Sequence, residues 1–313
     1  MGYNRCVTQL MRHTAIIPRT VAVTGATGAQ GGATARALLS AGLRVRALTR
    51  RPDAPAADAL RQRGAEVRYA DFDDRISLDA ALADADALFA VTTPFGTDTA
   101  TEVGQGTALV DAAAAARLGH VVLTTAAHAD RGTGVPHYES KHLVERHLRA
   151  AGVPWTVIAP AAFMDNYATG WTLDGLRDGT FAWPMPAGRP LTLIPAADIG
   201  AFAALVLRRR DEFAGRRVDI ASDERTPAQL ADLLGAAIGR PIVHKEVPLA
   251  HVRRRSADLA AMFEYFTTTG LDVDVAGLRR AYPEVGWHTF ADWTATQDWA
   301  ALLGAEARPI EVA

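Results

Sequence analysis

The stretch VAVTGATGAQGGATARALLSAG, residues 21–42, decides the fold. An apolar run of strand character, 21–25, ends in Gly25, Gly28 and Gly31 at spacing G-x-x-G-x-x-G. It passes into an Ala/Leu-rich helical pattern over 30–41 that Gly42 closes. At a strand-to-helix junction the first glycine permits a tight turn, the second lets backbone approach a pyrophosphate, and the third lets helix and strand pack closely. The unpaired N–H groups and the positive end of the helix dipole then face an anion, with Thr27, Ala29 and Gln30 presenting the turn. No Gly-Lys-Ser/Thr follows, which excludes a nucleoside-triphosphatase loop. The motif therefore predicts dinucleotide binding.

Outward from that unit, β-rich runs alternate with helical patterns: strands at 44–50, 65–71, 87–93, 120–126 and 154–160, helices at 54–63, 77–84, 102–118 and 138–151. Alternation of this kind makes a parallel, doubly wound α/β sheet of the Rossmann type. Gly42, Gly64, Gly119 and Gly152 stand at or just beyond four helix ends, where glycine is the expected stop. After Pro160 the pattern loosens into a loop-rich stretch, a helix opened by Asp198, a strand at 216–222, and mainly helix over 227–238 and 249–301. The expected organisation is a flexible extension over 1–17, which includes Met11, and a nucleotide-binding domain over 18–160 to which 190–221 returns. A smaller, mainly helical substrate domain takes 161–189 and 222–313.

Composition limits the function. The 313 residues are 49% hydrophobic and 22% charged, the arithmetic of a globular chain, and 33 basic against 35 acidic residues leave a net charge of −2. That balance gives no electrostatic footprint for nucleic acid. No run approaches the roughly 20 apolar residues of a membrane helix, and the single cysteine, Cys6, forms no internal disulfide, so a cytoplasmic address is expected. Only Lys141 and Lys245 among the basic residues are lysines, which hints that a compact ammonium is wanted where one is kept.

Where an NAD enzyme places a carboxylate for the ribose 2′-hydroxyl, the second strand ends in LTRRPD, with Arg50 and Arg51. A cation there suits the 2′-phosphate of NADP(H). Arg50 is read as the phosphate ligand and Arg51 as a face for the adenine, which Asp71 and Phe72 would border, while Asp73 and Asp74 cap the next helix. Ligands of such sheets lie beyond the C-terminal strand ends. Thr92, Thr93 and Phe95 after the fourth strand, Thr124 and Thr125 after the fifth, and Pro160, Phe163 and Asn166 after the sixth should thus line the cleft, with Thr92, Thr93, Pro160 and Phe163 on the cofactor side. Phe95, Phe163 and Trp171 are candidate apolar walls for a substrate, and Thr125 and Asn166 candidate polar contacts.

TGATGAQGG, the LTRRP turn, HYESKHLVERHL followed by GVPWTVIAPAAFMDNY, and the tail DLAAMFEYFTTTGLDVDVAGLRRAYPEVGWHTFADW together resemble the NmrA-like proteins, atypical members of the short-chain dehydrogenases/reductases. The resemblance runs from residue 19 to about 300. It implies an NADP(H)-preferring Rossmann domain, a small C-terminal domain and a cleft between them. It also implies either reductase activity on quinone- or carbonyl-type substrates or nucleotide sensing without turnover, through a protein partner.

Short-chain reductases usually carry Tyr-x-x-x-Lys, the lysine binding the nicotinamide ribose. Here His137 stands four before Lys141 and Tyr138 three before it. On a helix these lie about 40° to one side and about 60° to the other of the lysine, so either could share its face. An imidazole titrates near working pH and could deliver a proton; a phenol could if the lysine lowers its pKa; and neither need be catalytic. His137, His142 and His147 repeat every five residues, about 140° apart on a helix, so they fan out and no metal site is expected. No G-x-S-x-G elbow suggests a hydrolase. The expected activity is NADPH-dependent reduction of a small carbonyl, quinone or imine; the alternatives are a non-catalytic NADP(H) sensor and, with less weight, redox-neutral chemistry.

Overall fold

The computed structural model describes residues 17–304, so the expected extension, with Met11 and Cys6, lies almost wholly outside the described residues. The first six strands are β1 (Thr20–Val23), β2 (Arg44–Thr49), β3 (Glu66–Tyr69), β4 (Ala87–Val91), β5 (His120–Thr124) and β6 (Trp155–Pro160). Six more follow: β7 (Ala162–Phe163), β8 (Thr180–Trp183), β9 (Leu191–Ile194), β10 (Arg216–Ile220), β11 (Asp223–Arg225) and β12 (Val243–Glu246). A seven-stranded sheet runs in the order β10-β6-β5-β4-β1-β2-β3, parallel throughout.

Strand alternation builds a core on each side of the sheet. Val21, Val23, Phe89 and Val122 face one way, while Ala22, Leu88, Ala90, Val121 and Leu123 face the other, all fully buried or nearly so. The crossover helices α1 (Ala29–Ser40), α2 (Pro55–Gln62), α3 (Arg75–Leu82), α4 (Thr99–Ala115) and α5 (Pro136–Ala150) cover the two faces. Helix α6 (Gly170–Arg177) lies beyond β7, and α7 (Ala196–Arg208) returns to pack on α1. The α1–α7 approach is backbone to backbone: a Cβ added to Gly200 would fall 2.6 Å from the carbonyl carbon of Ala33.

Several expectations change in detail. The strand at 216 does rejoin the main sheet beside β6, whereas β9 pairs with β7 and β11 in a separate three-stranded sheet, and β8 pairs with β12. The stretch after Pro160 thus holds short strands that two-to-four-residue runs between prolines do not announce. Helix α7 begins at Ala196, and Asp198 sits buried in its first turn. There Asp198 accepts from Ser222 Oγ (2.5 Å), from the His288 backbone N–H (2.8 Å) and, through its other oxygen, meets His288 Nδ1 at 2.6 Å. Helix α4 ends with Arg117 in the left-handed region (φ 53°); Gly119 lies beyond it, donating to Asp86 O.

Candidate functional site

The strand order reverses between β1 and β4, and the crevice at that switch point is where a doubly wound sheet takes a ligand. Thr24 closes the floor: its hydroxyl accepts from Val91 N (2.8 Å) and lies 3.2 Å from Val91 O, clipping the glycine loop to the end of β4. Gly25 (φ 57°) leaves no room for a side chain, since a Cβ would stand 2.7 Å from Val91 Cγ1. A Cβ on Gly31 would run into the Gly25 carbonyl. Gly28 caps α1 with its own N–H on Gly25 O (2.9 Å), no side chain caps the helix, and the first turn contains no acidic residue. Gly25, Thr27, Gly28 and Ala29 are exposed. The cradle is therefore bare backbone at a positive helix end, which fits a pyrophosphate. Gln30 is anchored by its amide oxygen, which accepts from Thr124 Oγ1 at 2.9 Å.

Arg50 and Arg51 follow β2 beside this loop, both exposed, and neither side chain makes a hydrogen bond or ion pair among the described residues. Asp71 takes the Asp73 N–H on its carboxylate (3.1 Å) and donates its own N–H to Ser77 Oγ (3.0 Å). Phe72 is half-buried against the α3/α4 side of the core. Asp74 caps α3 through Ile76 N and Ser77 N. Asp73, expected as a second cap, accepts instead from Gln105 Nε2 of α4 at 3.0 Å.

At the end of β4 the buried Thr92 meets α5. Lys141 Nζ donates to Thr92 O (3.1 Å) and to Glu102 Oε1 (2.6 Å). Thr93 is exposed, its hydroxyl accepting from Phe95 N. The buried His137, one turn before the lysine, places Nδ1 2.8 Å from both carboxylate oxygens of Asp258, and its backbone N–H donates to the same group at 3.1 Å. Nε2 has no protein partner among the described residues. Burial acts to raise the Asp258 carboxyl, but the His137 ring, its backbone N–H and the charge of Lys141 together hold it below the usual carboxylate range. The Phe95 ring stands 5.6 Å from the His137 ring, centroid to centroid.

The NmrA-like family model matches residues 18–295. The chain belongs to the NmrA-like family. It is 28% identical over 299 residues to the NAD(P)H azoreductase of Xenophilus azovorans, covering 91% of this chain and 99% of the relative. It is 31% identical over 231 residues to the (4-alkanoyl-5-oxo-2,5-dihydrofuran-3-yl)methyl phosphate reductase of Streptomyces griseus, covering 72% and 77%. In structure it is similar to an NADPH-dependent quinone oxidoreductase of Escherichia coli solved with NADPH (TM-score 0.72, 23% identity, 88% of this chain and 98% of that one).

Within this NmrA-like chain the two expected proton donors part. The Tyr138 phenol is driven above its ordinary range by burial and by Tyr265, Asp258 and Asp219 around it. Its ring is buried in the core and stands edge-on to the His137 ring, 4.8 Å centroid to centroid. Thr125, expected to touch substrate, is buried and donates its hydroxyl proton to the fully buried Glu145 (2.7 Å). Pro160 ends β6 with its carbonyl on Ala127 N, and Phe163 is half-buried in β7. Asn166 is exposed, and Trp171, 38% exposed, stacks on Trp183 at 5.2 Å. His137, His142 and His147 address Asp258, Glu145 and Asp111 in turn, three separate carboxylates. No group of three metal-ligating side chains gathers among the described residues, and no helix there is long and apolar enough to cross a membrane.

Two residues that pair with the candidate site's side chains escaped the sequence reading, Glu102 and Asp258. Both sit in the first turn of a helix that a side-chain oxygen caps, Asp98 for α4 and Ser256 for the helix Ala257–Thr268, so both read as ordinary acids at a positive helix end. A signal for Glu102 existed: with Gly106, Leu109, Val110 and Ala113 it lies on the buried stripe of α4, where an acid is out of place unless paired.

Proposed function

We propose that this NmrA-like protein is an NADPH-dependent oxidoreductase that reduces a small carbonyl, quinone or imine in the cleft between the sheet and the C-terminal part. The observation that carries the reading is the pairing of Lys141 and His137 on one helix at the end of β4, directly beside the strand end that holds the glycine loop. The reductase names of the relatives support it. NADPH, when bound, supplies the hydride.

The chain's own residues have separable tasks. The backbone N–H groups at the start of α1 bind the pyrophosphate, and Arg50, free of any protein partner among the described residues, binds the 2′-phosphate. Lys141 orients the nicotinamide ribose from its fixed place on Thr92 O. His137 holds a proton at Nε2: with Nδ1–H committed to Asp258, the second nitrogen alone is left to protonate the reduced acceptor, and the Asp258 carboxylate balances the charge before that transfer. Phe95, against the same imidazole, excludes water from one side.

The test is loss of NADPH absorbance with a panel of quinones, aldehydes, ketones and imines. Turnover that drops on His137→Ala and persists in Tyr138→Phe is the expected result. Binding of NADPH without turnover of any acceptor would overturn the reductase reading in favour of a nucleotide sensor.

A further inference from the structure

We infer that Glu102 is the positioning residue of Lys141, fixing the ammonium at the cofactor crevice by hydrogen bonding and ion pairing. The inference rests on the reading of Lys141 as nicotinamide-ribose ligand. Glu102 is fully buried on α4 and carries three donors: Lys141 Nζ at 2.6 Å and Thr92 Oγ1 at 3.0 Å on one oxygen, Ser140 Oγ at 2.5 Å on the other. Two of these belong to consecutive residues of α5 and the third to the end of β4. The carboxylate therefore locks the helix that carries the lysine to the strand end it serves.

An ammonium has three protons. Glu102 and Thr92 O take two, which leaves one for a ligand hydroxyl, in a direction set by the other two. A stable core alone would do as well or better with apolar groups of the same volume, so the buried pair is better explained by the placement it enforces. The charge matters too. The Glu102 carboxylate at 2.6 Å balances most of the ammonium's charge, and what remains of its field acts on Asp258. The Tyr138 phenol, three residues before Lys141 in sequence, is driven up by burial and by Tyr265, Asp258 and Asp219. Lys141 thus acts by position, and His137 receives a counter-charge of its own from Asp258.

The test compares binding of NADPH with that of adenosine 2′,5′-bisphosphate, which has the 2′-phosphate and lacks the nicotinamide ribose. Glu102→Gln should weaken NADPH about ten-fold, the size of one charge-assisted hydrogen bond, and leave the bisphosphate unchanged. Combined with Lys141→Met, the Glu102→Gln effect on NADPH should vanish. Glu102→Asp, which keeps the charge, should recover part of the loss, and it carries the same comparison if Glu102→Gln does not fold. Equal weakening of both ligands, or a Glu102→Gln effect that survives at full size beside Lys141→Met, overturns the inference. Wild-type protein that binds NADPH without turnover overturns the reductase reading alone, whereas failure to bind NADPH overturns both.

Discussion

His137 and Asp258, 121 residues apart in sequence, are joined by both carboxylate oxygens at 2.8 Å from one ring nitrogen. One comes from α5, the crossover helix between β5 and β6, the other from the first turn of Ala257–Thr268. The imidazole's tautomer is therefore set by the C-terminal part of the chain.

Replacing Asp258 by Asn should lower kcat by about 10²-fold, within the range of a positioned proton donor, and leave the Kd for NADPH unchanged. The amide cannot balance an imidazolium and can hold the wrong ring nitrogen. Stopped-flow turnover beside a fluorescence titration of NADPH checks this; an unchanged kcat would remove His137 from the proton path.

Arg50→Ala should weaken NADPH by about ten-fold or more and NADH by less than about two-fold, because only the former carries the phosphate that a charge-assisted pair recognises. The wild-type preference should also shrink as salt rises, since this arginine is exposed and screened. Equal losses for both nucleotides would assign the 2′-phosphate elsewhere.

His120, at the start of β5, is buried with Nε2 on Thr156 Oγ1 (2.8 Å) and, among the described residues, no partner for Nδ1. Thr156 donates onward to Phe213 O, so it accepts from His120 Nε2–H. Burial, with Arg210 nearby and Asp211 opposing, pushes the imidazole down from 6.5 to about 4. The folded state then binds fewer protons than the unfolded one. The resulting stability is present in full above pH 6.5 and lost as pH falls towards 4, a change of about 3 kcal/mol. His120→Gln should flatten that part of the stability curve. Urea melts of both proteins at pH 7.5 and 4.5 test it, and parallel losses would sink the assignment.

Lys141→Met leaves Glu102 as a buried, unpaired charge and should destabilise the fold by about 3 kcal/mol or more. Adding Glu102→Gln should restore most of that loss. A Lys141→Met variant as stable as the parent, by denaturant midpoint, would show that the carboxylate finds other compensation.

The sheet was legible because its signals are local: strand runs, glycine stops and the loop at 25–31 all lie within one βαβ unit of each other. Lys141 and Arg50 could be singled out as candidates for the same reason, each tied to a motif at fixed spacing. The choice between Thr124 and Thr125 was not legible because a strand end presents two consecutive hydroxyls to different surroundings. Thr124 meets Gln30 and Thr125 meets Glu145, and the sequence does not say which of the two reaches the crevice. Glu102 and Asp258 gain their meaning from partners 39 and 121 residues away, which no spacing rule reaches. The short strands after Pro160 depend on pairing between β7, β9 and β11, segments too brief to carry a period of their own.

The contact of Gly200 on Ala33 bears on how this scaffold could be re-engineered. A graft that replaced everything after Pro160 with the C-terminal part of another protein would discard α7, the backbone on which the phosphate-binding helix leans, together with the edge strand β10. A chimaera that retains 196–220 from the parent should keep nucleotide affinity while exchanging the acceptor pocket, whereas one that swaps this segment should lose affinity with the glycine loop intact. Exchange of specificity in this architecture is thus a matter of two separate replacements, before and after that segment, and a single cut does not achieve it.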